Sequence, residues 1–384
     1  MSKSIYFFHP SSELYGSDKI LTYIVKCYPN YEKTIILKNR GPLIDLLAKE
    51  CPDVKVEIIS SLPIIAKKNL KPKGIISFLI SLFKFKTALK RIYKQDPYII
   101  YLNTLATIPI LFYYRKQIKI IHVHEILSNT IFFNKIVNLI ALKYADTIIC
   151  VSNAVLRNLE TAKPKYKEKL KLVRNGINFS KPDELNSGFN FKIDVNKINF
   201  ALIGRIKPSH KGQKLLLNAI SKLPISILQQ SHFYFIGSPV QGQEYMLNDV
   251  KKTISELRLQ DFITIIPFVK EIERVYQKID VVTVPSTVED SLPTTVLEGM
   301  FFSKPIIGTR IGGIPEMIED EVSGFITNRD DAEDLSKKIM IFINNPSEIK
   351  RMGENGRKLF INNFSEESFY QRYNNVINNI LSKE

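Results

Sequence analysis

The chain has 384 residues, 45% of them hydrophobic and 24% charged, with a formal net charge of +16 at pH 7. That length exceeds what one hydrophobic core supports, so two domains are expected. Cys27, Cys51 and Cys150 lack metal or redox spacing, which excludes a disulfide scaffold and reads as reduced core thiols in a cytoplasm. In chain order, Ser4–His9 is predicted as a buried strand, and Tyr15-Gly16-Ser17-Asp18 opens a helix over Lys19–Cys27. The basic run Lys67–Lys73 precedes the apolar run Ile75–Phe83, then Lys84, Lys86, Lys90 and Arg91. As a helix, Gly74–Gln95 would be apolar over much of its surface with a basic flank, which suits an anionic lipid interface. The plainer alternative is a core helix with a solvated basic edge.

Pro97–Asn103 and Lys119–Glu125 are further predicted strands; alternation puts His122 and His124 on one face and Val123 on the other. No third ligand follows at a helpful spacing, so no metal is expected there. A strand and turn at Asp146–Asn153 and another at Lys171–Ile177 lead into a polar, Pro- and Gly-containing stretch, Asn178–Asn190, where the linker belongs. The domains are therefore expected at 1–185 and 186–384. Asn199–Arg205 is a strand ending in Gly-Arg, followed by Lys207–Gly212 and an amphipathic run Leu215–Leu223. Strands His232–Gly237, Phe262–Pro267 (followed by Phe268-Val269) and Asp280–Pro285 come next. Strands alternating with helical patterns call for parallel α/β sheets, whose ligands bind at the carboxyl ends of the strands. No apolar run approaches the roughly 20 residues that span a bilayer, and no signal peptide opens the chain.

The segment Pro285–Glu298 carries the most chemistry. Glu289 and Asp290 precede a helix start at Leu292-Pro293, and Pro293 suits a first helical position because its missing N–H would be an orphan donor there. The amides of Thr294, Thr295 and Val296 would then point out of the helix end as a phosphate site. Glu298 lies about one turn in, and helical side chains lean back toward the N-terminus, so its carboxylate can reach a hydroxyl attached to that phosphate. Together these residues suggest a nucleotide sugar. A strand over Pro305–Gly308 and the pair Gly312-Gly313, ahead of Pro315-Glu316, let a backbone approach a ligand closely.

With these motifs the chain resembles the retaining glycosyltransferases of family 4, which have the GT-B fold: two Rossmann-like, doubly wound parallel-sheet domains facing each other across a cleft. The eight-residue step from Asp290 to Glu298 matches their signature, with Asp where the family usually has Glu, so Glu289 remains the other candidate for the first acid. The resemblance implies that Arg205 and Lys211 bind the donor diphosphate, where fixed cations stabilise a departing anion. It implies that Phe268 and Val269 cup the nucleobase, that Gly16 approaches the sugar or its phosphate, and that His124 faces the sugar. It places Glu298 on the ribose and Asp290 or Glu289 beside the transferred sugar. It also expects the last helix, about 365–381, to cross back to the first domain.

The expected activity is transfer from a UDP- or GDP-sugar to a glycan or lipid-linked acceptor, without a cofactor or metal, in bacterial-type cell-surface polysaccharide synthesis. Residues 1–185 hold 30 Lys and Arg against 14 Asp and Glu, while residues 186–384 hold 24 of each. An excess spread over one whole domain points to an extended anionic partner. The expectation is therefore peripheral attachment to the inner face of an anionic membrane, with Lys84, Lys86, Lys90 and Arg91 at the contact. Nucleic-acid binding is the rival from another class, but no recognised motif is present and aromatic residues do not interleave with the basic runs. A sugar-nucleotide epimerase or phosphorylase of the same fold is the closer rival.

Overall fold

The computed structural model describes every residue except 1, 2, 15, 67, 68, 70, 93–95, 180–191, 383 and 384, and gives only the backbone of 91 and 92. The expected linker therefore lies mostly outside the described residues, as does the Arg91 side chain. The chain divides into two compact units, Met1–Gly176 with Phe369–Glu384, and Ile177–Ser368.

The first unit has seven parallel strands: β1 (Ser4–His9), β2 (Glu32–Leu37), β3 (Lys55–Ile58), β4 (Ile99–Leu102), β5 (Ile118–Val123), β6 (Thr147–Cys150) and β7 (Leu170–Leu172). They lie in the order β3-β2-β1-β4-β5-β6-β7. Strands covered by helices on both faces need no polar alternation; β4 and β6 are buried at every residue. The order reverses between β1 and β4, and a ligand crevice forms at the carboxyl ends of such a pair. Phe369–Leu381 joins this unit, with Phe369 and Tyr373 fully buried and the Tyr373 hydroxyl 3.0 Å from that of Tyr28.

The second unit has six parallel strands: β8 (Ile198–Ile203), β9 (Ser231–Ile236), β10 (Ile263–Ile266), β11 (Val281–Val284), β12 (Ile306–Thr309) and β13 (Gly324–Thr327), ordered β10-β9-β8-β11-β12-β13. Its reversal falls between β8 and β11. The core is aromatic and aliphatic, with Phe200, Phe233, Phe235, Phe325 and Phe342 packed among the leucines of the helix Gln213–Ile220.

One helix departs from this economy. Of Pro72–Lys90, within the helix Pro72–Ile92, only Phe85 is buried. Ile75, Ile76, Leu79, Ile80 and Phe83 are 48–76% exposed. The plainer expectation of a core helix with a solvated basic edge is corrected: the apolar side chains themselves are solvated.

Candidate active site

In the first unit, the ends of β1, β4 and β5 bring five polar side chains into one chain of hydrogen bonds. His9, at the end of β1, pairs with buried Asp18 through Nε2. Asn103, just past β4, donates through Nδ2 to His9 Nδ1 (3.1 Å) and to the Ser17 carbonyl (3.0 Å), which holds the Gly16 turn against the sheet. The Asn103 Oδ1 lies 3.4 Å from His124 Nε2, and Asn175 Nδ2 lies 3.4 Å from His124 Nδ1. The donors and acceptors are mutually consistent when His124 is neutral and protonated on Nε2. Burial, reinforced by His9, holds the His124 imidazole down at about 3. Both its ring nitrogens thus face carboxamides, so a sugar hydroxyl would have to displace one of them. The Oδ1 of Asn175 is buried without a hydrogen-bond partner among the described residues.

His122 is fully buried and bonded through Nδ1 to Tyr101 (3.0 Å), which makes it a structural group beneath the His124 ring. Glu125 follows His124 and accepts from the amides of Leu105 (3.4 Å) and His124 (3.2 Å). Burial nevertheless raises its carboxyl from 4.5 to about 7. Sequence reasoning assigned no role to His9, Asp18, Asn103, Glu125 or Asn175. The available signal was positional: His9 and Asn103 end the two strands at which the sheet order reverses.

In the second unit, Arg205 is exposed just beyond β8, and its carbonyl accepts from Gln213 Nε2 at 3.0 Å. Lys211, which ends the one-turn helix Pro208–Lys211 after β8, holds its Nζ 2.7 Å from Asp290 Oδ2 in the loop after β11. Gly212 follows at φ +77°, and a Cβ there would stand 1.7 Å from the Pro285 carbonyl oxygen. On the other side, the Gly313 amide donates to the Asp290 carbonyl (2.8 Å), and Gly312, at φ +56°, lies against the same backbone. Asp290 is therefore clamped between Lys211 and the Gly-Gly turn, while Glu289 is exposed beside it. The ion pair is partly exposed, and such pairs contribute about 0–1 kcal/mol.

The helix after this loop runs Thr294–Phe301, with Pro293 extended (ψ 123°) at its cap, one position earlier than the sequence suggested. The Val296 amide donates to the Pro293 carbonyl at 3.1 Å. That corrects the expectation of three outward amides and leaves Thr294 and Thr295 at the open end. Glu298 accepts a 2.7 Å hydrogen bond from the Tyr276 hydroxyl, and the Tyr276 ring stacks on Phe302 at 5.4 Å. Sequence reasoning had no signal for Tyr276, because it reaches Glu298 only through tertiary packing. Leu292 and Val269 are buried, whereas Phe268 is 75% exposed. The segment after Gly313 is a single 3-10 turn, Ile314–Glu316. No group of three or more His, Cys, Asp or Glu side chains able to hold a metal occurs among the described residues.

The sequence profile of the glycosyl transferases group 1 family matches residues 185–359, the span that includes Arg205, Lys211, Asp290 and Glu298. Residues 185–359 are similar in sequence to a group 1 glycosyl transferase domain. An uncharacterized glycosyltransferase of Methanocaldococcus jannaschii is 30% identical over 233 residues, 59% of this chain and 58% of that protein. Spore coat protein SA of Bacillus subtilis is 27% identical over 249 residues, 61% of this chain and 63% of that protein. The chain thus spans less than two thirds of either relative. Among solved structures, Anabaena HepE in complex with UDP-glucose superposes with a TM-score of 0.78 at 21% identity, covering 99% of this chain and 100% of that one. Sucrose-phosphate synthase from Thermosynechococcus elongatus gives 0.77 at 15% identity, with both chains wholly covered. Together with the two parallel sheets, these likenesses establish the GT-B fold.

Proposed function

We propose that the protein is a retaining glycosyltransferase that moves a sugar from a UDP- or GDP-sugar to a glycan or lipid-linked acceptor. The observation that carries this reading is the clustering in the second unit of Lys211, Asp290, the open helix end at Thr294 and Thr295, and Glu298. Cations and unsatisfied amides suit a diphosphate, and an oriented carboxylate suits a ribose diol. In the proposed reaction the bond between the anomeric carbon and the phosphate oxygen breaks, and the nucleoside diphosphate leaves with the electron pair. Arg205, Lys211 and the two amides stabilise that charge. The acceptor hydroxyl attacks the same face and passes its proton to the departing phosphate oxygen. Asp290, the clamped acid, lies beside the sugar in this reading, ahead of Glu289.

The first unit takes the acceptor, with Asn103 and His124 placed at the ends of β4 and β5, where its sheet order reverses. Solved HepE complexes contain UDP and UDP-glucose, which supports a nucleotide-sugar donor here. The basic first unit supports an acceptor at an anionic membrane surface, as in the assembly of cell-surface polysaccharide. Mass spectrometry of nucleotide sugars bound or hydrolysed by the purified protein, across a UDP- and GDP-sugar panel with sugar and lipid-phosphate acceptors, tests the proposal. Glycoside formation with the α or β configuration of the donor retained is expected. Epimerised donor, or glycosyl phosphate formed from inorganic phosphate, would assign the site to the epimerase or phosphorylase chemistry instead.

A further inference from the structure

The helix Pro72–Ile92 is long, unusually exposed and one-signed in charge. Its sequence contains Lys73, Lys84, Lys86, Lys90 and Arg91 and no acidic residue. At 100° per residue, Ile75, Ile76, Leu79, Ile80 and Phe83 fall on one face of its N-terminal half, and all five are exposed. Phe85 is the one fully buried side chain among the described residues of the helix; it packs against Tyr113 (ring centroids 5.2 Å apart), and the Tyr113 hydroxyl bonds to the Leu82 carbonyl at 2.7 Å.

Beside the C-terminal half of the helix lies an open cavity of about 660 Å³. Lys86 and Lys90 enter it one turn apart, and Arg115 approaches from the segment before β5; Phe112 and Tyr113 form part of its wall. None of these three cations forms an ion pair among the described residues; the cavity's one carboxylate, Asp96, accepts from Gln117 at 3.3 Å. The cavity adjoins the apolar face, because Lys86 is three residues, roughly 4.5 Å along the axis, beyond Phe83.

We propose that this helix and cavity are the docking site for an anionic phospholipid surface, with the headgroup phosphate in the cavity and the apolar face among the upper acyl chains. Three cations around one carboxylate suit a phosphodiester, and an aromatic wall suits the polar–apolar boundary. A helix lying in the interface sinks its apolar face about 5–10 Å. A second copy of this chain is the poorer occupant, since it would set two all-cationic helices against each other. The inference rests on the proposed function only for why an acceptor would lie at a membrane; its test reads lipid binding without catalysis.

The chain contains no tryptophan. Phe83→Trp therefore supplies a single reporter, with Leu79→Trp as the alternative if that variant misfolds and Val195→Trp, in the other unit, as the control. With phosphatidylserine–phosphatidylcholine vesicles, the reporter on the helix is expected to shift blue and to be quenched by brominated acyl chains. The control is expected to do neither. Lys86→Gln/Lys90→Gln/Arg115→Gln should lower the partition coefficient about a hundred-fold, and at least ten-fold more than Lys71→Gln/Lys73→Gln/Lys84→Gln, which removes the same charge away from the cavity. An unshifted reporter, or a blue shift without vesicles accompanied by dimer sedimentation, would overturn the docking site. Equal losses in the two triple variants would overturn the headgroup cavity. Loss of transfer activity with vesicle binding intact would count against the proposed function alone.

Discussion

Replacing Glu125 with Gln isolates the proton of one half-buried carboxyl. The substitution keeps the carbonyl oxygen that accepts from the Leu105 and His124 amides and removes the titration. Burial raises the Glu125 carboxyl from 4.5 in an unfolded chain to about 7 in the native protein. Between those pH values the folded state holds a proton that the unfolded state has lost, so the free energy of unfolding falls as pH rises. The stabilisation is complete below pH 4.5 and gone once pH passes through about 7. At about 1.4 kcal/mol per pH unit, the group's full cost on ionisation is about 3 kcal/mol. His122 and His124, both held low by burial, produce the opposite slope on the acid side. They are common to both proteins and drop out of the difference. Urea unfolding followed by circular dichroism at pH 5, 6, 7 and 8 gives that difference directly. The variant should gain on the wild type steadily from pH 5 and reach about 3 kcal/mol by pH 8. A difference independent of pH, or one that shrinks as pH rises, would refute the assignment of a half-buried, proton-holding carboxyl.

Glu298→Ala should weaken donor binding by about 1.5–3 kcal/mol in calorimetric titration, the worth of a charge-assisted hydrogen bond. Tyr276→Phe should weaken it less, because the carboxylate remains but loses the hydroxyl that orients it; unchanged affinity in both would remove Glu298 from the donor site. Arg205→Ala and Lys211→Ala should each cut turnover while leaving the thermal midpoint within a few degrees, as the Lys211 pair contributes about 0–1 kcal/mol. Gly212→Ala should destabilise the second unit by more than about 2 kcal/mol in a denaturant titration, since it adds left-handed strain to a backbone clash. EDTA should leave transfer nearly unchanged, and activity that needs added divalent cation and survives loss of both Arg205 and Lys211 would defeat the charge-neutralisation scheme.

Much of the second unit was legible because its chemistry is local in sequence. Gly204-Arg205, Lys211-Gly212 and the run Asp290–Glu298 each occupy one strand–loop–helix junction, and parallel topology alone brings such junctions to one edge. The pairing of Lys211 with Asp290 follows from that edge. What stayed hidden depends on packing between elements far apart in the chain. Tyr276 meets Glu298 from the preceding helix, Glu273–Lys278, and Asn175 meets His124 from a turn 51 positions away. The Pro293 cap was misplaced by one residue because Pro is compatible with both the cap and the first turn, and ψ decides between them. Helix Pro72–Ile92 was readable as amphipathic, but periodicity cannot say which face the rest of the protein covers.

The seat around Asp290 is built largely from main chain: the Pro285 carbonyl against Gly212, the Asp290 carbonyl against Gly312 and under the Gly313 amide. Exposed side chains along the same strand-end edge, Phe268 at 75% exposure, Val288 at 43% and Glu289, carry almost no packing duty. The unit therefore separates two kinds of heritable change. Drift at the rim can proceed without disturbing the fold, and in the proposed donor site it would change which base or sugar is preferred, whereas a side chain at Gly212 or Gly312 would meet backbone. A library randomised at residues 268, 288 and 289 would explore new donors on a scaffold that stays fixed.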